Sequence, residues 1–290
     1  MRTAVVTPSY EADFERCRLL CDSMDVRLTG QWTHYILVEQ RDLAKFAALK
    51  GPRRVIVDER ELLPDWLRPF PDPLSLGKRR IWLGLHAPPM RGWHMQQLRK
   101  LGVGRLLQEE AMFFADSDVV LTRSFDPANL WDGEKMRLYR QDNTVTADMH
   151  KHIKWIATSN RLLGRQDNVV EPPFPDYVNT LIGWRTDTLN AMLDHIEQAN
   201  GVNWMRAIGK SRAISEAMLY GCYVDEILGG QGHVHTSKAL CHVMWFREGR
   251  QRNHRELLDF IAQMEPHQIG IGVQSFIGFS AQQVRQAVLP

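Results

Sequence analysis

The sequence predicts an α/β protein built on a mostly parallel central sheet, and three observations carry that prediction. Short β-branched and apolar runs alternate with amphipathic stretches through the first 120 residues. A further apolar run, Ala111 to Ala115, leads directly into Asp116-Ser117-Asp118. The 290 residues are 44% hydrophobic and 24% charged, the balance of an ordinary globular chain rather than of a disordered, fibrous or coiled-coil one.

Each element follows from its own pattern. Arg2 to Thr7 (RTAVVT) reads as a first strand, stopped by Pro8-Ser9-Tyr10. Phe14, Cys17, Leu20, Cys21 and Met24 then recur at helical spacing within residues Ala12 to Met24. His34 to Glu39 is a second strand, Leu43 to Leu49 a short helix, and Arg54 to Asp58 a third strand. This βαβαβ order predicts parallel strands joined by right-handed crossovers. Ligands of such sheets sit beyond the carboxyl ends of the strands, where this chain offers Thr7, Ser9, Glu11, Glu39, Gln40 and Asp58.

Residues Leu63 to Met90 hold six prolines, but Trp66, Phe70 and Trp82 are interleaved with them. The stretch therefore reads as an ordered excursion rather than a linker. Gly92 to Leu101 is a helix with Trp93, Gln97 and Lys100 on one side. The run that begins at Ala111 reads as a buried strand ending in the two carboxylates, Asp116 and Asp118. The second half is less regular, with helices expected over Thr186 to Ala199, from Ser215 onward, and over Arg255 to Met264. Three histidines, His233, His235 and His242, lie between the last two.

Composition also excludes functions. A formal charge of +2 gives no basic excess for nucleic acid. No apolar run approaches the ~18–20 residues of a membrane helix. The opening residues read as a strand rather than a signal peptide, which leads to a cytoplasmic expectation. The four cysteines, Cys17, Cys21, Cys222 and Cys241, form no C-x-x-C pair and read as small buried side chains of a reducing compartment. One domain spanning residues 1–290 is expected.

The chemistry concentrates at Asp116-Ser117-Asp118. Two carboxylates at i and i+2, at the exit of a buried strand, suit Mg²⁺ or Mn²⁺ shared with a phosphate group. Glu216 follows Ser215, a good N-cap residue. A carboxylate there either answers the helix dipole or serves as a general base.

The ordered set Thr7-Pro8-Ser9-Tyr10, Gly92-Trp93 with Gln96-Gln97 and Lys100-Leu101, Asp116-Ser117-Asp118, and Ser215-Glu216 with Leu219-Tyr220-Gly221 resembles the GT-A class of glycosyltransferases. Within that class it is similar to a group of bacterial polysaccharide or surface-glycan enzymes with a D-S-D motif. The resemblance covers most of the chain. It implies a GT-A-like, Rossmann-related fold with a nucleotide-sugar-binding half (1–122) and an acceptor-binding, catalytic half (123–290). The implied reaction is metal-dependent transfer, with Mn²⁺ or Mg²⁺, of a sugar from a nucleotide-sugar, a UDP-sugar being favoured, to a hydroxyl of a glycan or glycolipid precursor. It implies Asp116, Asp118 and His242 as metal ligands. Thr7, Ser9, Tyr10, Glu39, Gln97, Lys100, Asp116 and Ser117 would contact the nucleotide-sugar, and Glu216 would be the base of an inverting transfer. A lipid-linked acceptor would add peripheral contact at the inner membrane face.

Two alternatives stand beside this reading. Asp116-Ser117-Asp118-Val-Val-Leu also fits the first motif of haloacid-dehalogenase-like phosphatases. That chemistry needs a further acidic pair downstream, and neither Asp-Asp nor Gly-Asp-x-x-x-Asp follows Asp118. The other alternative is a nucleotide-sugar-binding protein without turnover.

Overall fold

The computed structural model describes residues 1–76, 79–165, 171–245 and 253–289. Its centre is a five-stranded sheet in the order Ile182–Arg185, Ala111–Phe114, Thr3–Pro8, Trp32–Val38, Arg54–Asp58. The last four are mutually parallel, and Ile182–Arg185 runs antiparallel to Ala111–Phe114 at the edge. The expected parallel sheet is therefore present, with one strand from the second half of the chain closing it. All six residues of Thr3–Pro8 are buried, as a strand covered on both faces requires.

Side chains leave this sheet alternately. Ala4, Val6, Met112, Phe114 and Trp184 join a core under the helices Gly92–Gly102, His150–Leu162, Thr186–Asn200 and Glu216–Glu226. Val5, Ala111 and Phe113 face the opposite way and meet Leu20 and Met24 of the helix Phe14–Arg27. All four cysteines are free and buried.

The proline-rich excursion is a small antiparallel sheet in the order Arg68–Pro71, Arg80–Gly84, Ala87–Arg91. Its four strand prolines, Pro69, Pro71, Pro88 and Pro89, lie in the two outer strands, and the central strand has none. A residue without an N–H cannot serve two neighbours, so the prolines fix which strands are edges.

As expected, the buried strand ends just before the two carboxylates: it stops at Phe114, and Asp116-Ser117-Asp118 is a turn closed by the Val119 N–H on the Asp116 carbonyl, 3.0 Å. Beyond it, Val119–Leu121 pairs antiparallel with Gly270–Val273, which pairs in parallel with Cys241–Met244. The motif thus lies where the chain passes from the central sheet to a second one.

The helix Glu216–Glu226 is fixed by a close approach at Gly221. A Cβ there would meet the Tyr177 ring at 2.2–2.5 Å, well inside van der Waals contact. The Tyr177 hydroxyl crosses the helix at that point and donates to Asp225. Gly221→Ala should therefore lower stability by about 1–3 kcal/mol, although alanine is intrinsically the better helix former by ~1 kcal/mol. Urea denaturation decides it, and an unchanged midpoint would show that the ring has room to move.

Candidate active site

Three segments, one of them about a hundred residues further along the chain, converge beyond the carboxyl end of Ala111–Phe114. The aspartate turn is one, the helix Gly92–Gly102 is the second, and the start of the helix Glu216–Glu226 is the third. Lys100 joins them. Its Nζ lies 2.9 Å from Asp116 Oδ1 and 3.1 Å from Glu216 Oε1, and 5.7 Å from the centre of the Phe114 ring. Lys100 and Glu216 are nearly covered, 8% and 10% exposed in their side chains, whereas Asp116 is 28% exposed. Burial works against the ammonium, but Asp116 and then Glu216 outweigh it and hold the Lys100 pKa well above its ordinary value.

The neighbouring turn of the same helix completes the joint. Gln97 Oε1 accepts the backbone N–H of Glu216 at 2.8 Å, capping a donor that a helix start leaves unpartnered. Ser215 is the N-cap, its hydroxyl accepting from the Met218 N–H at 3.3 Å. Gln96 reaches Asp116 Oδ1 from the same face at 3.4 Å. Glu216 is thus held by its backbone and its side chain at once.

Asp118 has a different environment. Its Oδ1 is buried with no hydrogen-bond partner among the described residues. Its pKa is pushed up to about 7, first by burial and then by repulsion from Asp116, with Arg16 acting in the opposite direction. Arg16 is itself anchored by the carbonyls of Val273 (2.9 Å) and Phe279. A buried carboxylate oxygen without a donor, beside a second carboxylate, is of the chemistry that would suit a hard divalent cation.

The other expected residues are distributed unevenly. Ser117 is buried and its hydroxyl points to Asp13 Oδ2 at 3.5 Å. Tyr10 is half-exposed at the end of the first strand, its phenol pKa raised by burial and by Asp13. Ser9 is buried beside it. Glu39 lies beyond the second strand but is enclosed by Arg41 Nε at 3.0 Å, Arg80 Nε at 3.9 Å and Arg99 at 4.0 Å. Arg99 is bound in turn by Glu59. This ion-pair cluster of Glu39, Glu59 and three arginines was invisible in the linear sequence.

Two expectations are not met. Thr7 is fully buried inside the sheet, where its hydroxyl donates to the Ala115 carbonyl (2.8 Å) and meets His34 Nε2 (2.9 Å). It fastens its own strand to the neighbours on both sides and is not exposed to solvent. His242 is not gathered with the aspartates. It stacks on Phe260, ring centres 4.2 Å apart, and stands opposite Ile271, which itself pairs with Val120, whereas the Asp118 carbonyl bonds to Val273. Burial lowers its pKa. Among the described residues no three His, Cys, Asp or Glu side chains converge as a metal site of protein ligands alone would need. Gln97 and Lys100 are at the site, but both are engaged with Glu216.

The architecture is that of a GT-A glycosyltransferase fold. Among solved structures the chain is similar to the galactosyltransferase LgtC in complex with donor and acceptor sugar analogues, at a TM-score of 0.50 over 98% of this chain and 95% of that one. With 10% sequence identity, that likeness speaks to the fold. The chain itself belongs to a family of unknown function (DUF6492), which it matches over residues 3–288. No curated protein matches it. No helix among the described residues is long and apolar enough to cross a membrane.

Proposed function

We propose that the protein transfers a sugar from a nucleotide-sugar to a hydroxyl of a glycan or glycolipid precursor. The observation that carries this reading is the Asp116–Lys100–Glu216 chain, with Lys100 and Glu216 buried and Asp116 part-exposed at its outer end. It ties a candidate diphosphate-binding turn to a carboxylate at a helix start, at the end of the sheet where GT-A folds bind their donor.

The residues divide the work. Asp118, with the outer oxygen of Asp116, would hold Mn²⁺ or Mg²⁺, which when bound supplies Lewis-acid stabilisation of the departing diphosphate. Ser9 and Tyr10 border the nucleoside position beyond the first strand. Lys100 occupies one oxygen of Glu216 and leaves the other to accept the proton of the acceptor hydroxyl. As the acceptor's hydroxyl oxygen attacks the anomeric carbon from the face opposite the phosphate, its proton passes to Glu216, the bond from the anomeric carbon to the phosphate oxygen breaks, and the nucleoside diphosphate departs, with inversion. General-base help of this kind is worth ~10²–10⁴-fold.

A thermal-shift series with UDP, GDP, CDP and CMP, each with Mn²⁺ and with EDTA, tests the donor site. At a hundredfold excess over Kd a bound ligand contributes ~2.7 kcal/mol of stability. The expected result is a metal-dependent rise with one nucleotide, strongest for UDP, that Asp118→Ala abolishes. No rise with any of the four overturns the proposal, and release of inorganic phosphate from a simple ester would then favour the phosphatase.

A further inference from the structure

The helix that carries Lys100 and Gln97 also carries Trp93 on the same side, about 10 Å nearer its N-terminus at 1.5 Å per residue. Trp93 is 43% exposed. It is nevertheless held in place, because its ring lies 5.8 Å from that of the buried Trp155, with the planes at 22°. Trp155 is braced in turn by the His152 ring at 4.6 Å and 62°. Single exposed aromatics are common and need no explanation. An exposed indole fixed by a buried one, on the face that leads to a candidate base, is a different object.

Charge marks it further. Lys151 Nζ lies 5.4 Å from the Trp93 ring centre and 4.8 Å from that of Trp155, so an ammonium group stands over the pair. His150, Lys151 and Lys154 are all exposed at the start of the same helix, whose first turn contains no acidic residue.

We propose that Trp93, backed by Trp155 and flanked by Lys151, is a subsite for an acidic sugar ring of the acceptor, a proposal that rests on the glycosyltransferase reading. The C–H face of a pyranose stacks on an indole, while a few polar groups set its orientation. Here the Lys151 ammonium is positioned to meet a carboxylate on that ring. The distance from Lys100 makes this ring a neighbour of the reacting one along the acceptor chain. The chemical class implied is therefore an oligosaccharide containing a uronic or sialic acid residue.

The test uses the full chain on an array of neutral, uronate-bearing and sialylated oligosaccharides, together with the UDP–Mn²⁺ thermal shift. The wild-type protein should retain acidic glycans in preference to neutral ones. Trp93→Ala should weaken retention about tenfold while Trp93→Phe keeps part of it, and Lys151→Gln should erase the preference for acidic rings. All three variants should keep the nucleotide shift, which shows that they fold. Undiminished retention by Trp93→Ala, retention of neutral glycans alone, or no retained glycan with an intact nucleotide shift overturns the subsite and leaves the enzyme reading standing. Trp93-dependent retention without any nucleotide shift does the reverse: the subsite stands as a glycan-binding site and the transferase reading falls.

Discussion

Lys100→Met is expected to remove about 3–5 kcal/mol of folding stability, because it strips the shared counterion from a buried and a part-exposed carboxylate. Asp116 and Glu216 both bond to the same Nζ, at 2.9 and 3.1 Å, and both would then face each other uncompensated. Lys100→Arg keeps the charge, but a planar guanidinium cannot copy a point charge shared by two partners, and an intermediate loss follows. The decisive comparison is the double variant. Glu216→Gln added to Lys100→Met removes one of the stranded charges, so the two losses should fall short of their sum by about 0.5–3 kcal/mol. Urea denaturation of the four proteins gives that difference. Strict additivity would mean that the lysine is solvated and bridges nothing.

Glu216→Gln alone should lower kcat by about 10²–10⁴-fold once a donor and acceptor pair is in hand. The substitution retains the backbone N–H held by Gln97, the Ser215 cap and an oxygen for Lys100, so the helix start keeps its geometry. Nucleotide-dependent thermal stabilisation should survive unchanged. Loss of turnover with binding intact assigns the proton transfer to this carboxylate. Unimpaired turnover would leave Glu216 a purely structural partner of Lys100, and a wild-type protein that binds nucleotide but never turns over would return the non-catalytic alternative.

Much of this architecture could be read before any coordinates. The first three strands and the helix Phe14–Arg27 follow from apolar spacing, and the helix starting after Ser215 follows from its cap. Local pattern determines such elements, so a linear reading finds them. The site was legible only in part. Asp116, Asp118, Lys100 and Glu216 were named individually, but nothing in a sequence states that one ammonium group meets carboxylates from two distant segments. Thr7 shows the opposite failure. A hydroxyl at a strand end looks like a ligand contact, yet the same β-branched residue serves equally well inside a sheet if a carbonyl is near, as Ala115 is. His242 was assigned by resemblance, and the stacking on Phe260 that now occupies it depends on a helix more than ten residues further on. Arg16, Arg99 and Glu59 carried no signal because isolated charges are usually solvated. Only the fold shows that they are enclosed.

The lysine bridge also has a mechanical meaning. Lys100 belongs to the segment that precedes the aspartate turn, whereas Glu216 follows the strand that closes the central sheet. Prising these parts of the molecule apart would separate opposite charges in a poorly screened interior, where attraction weakens slowly with distance. A hinge running through this point would be stiff. The helix Gly92–Gly102 and the start of the helix Glu216–Glu226 therefore keep a nearly constant spacing, and any opening motion of the molecule has to pivot elsewhere.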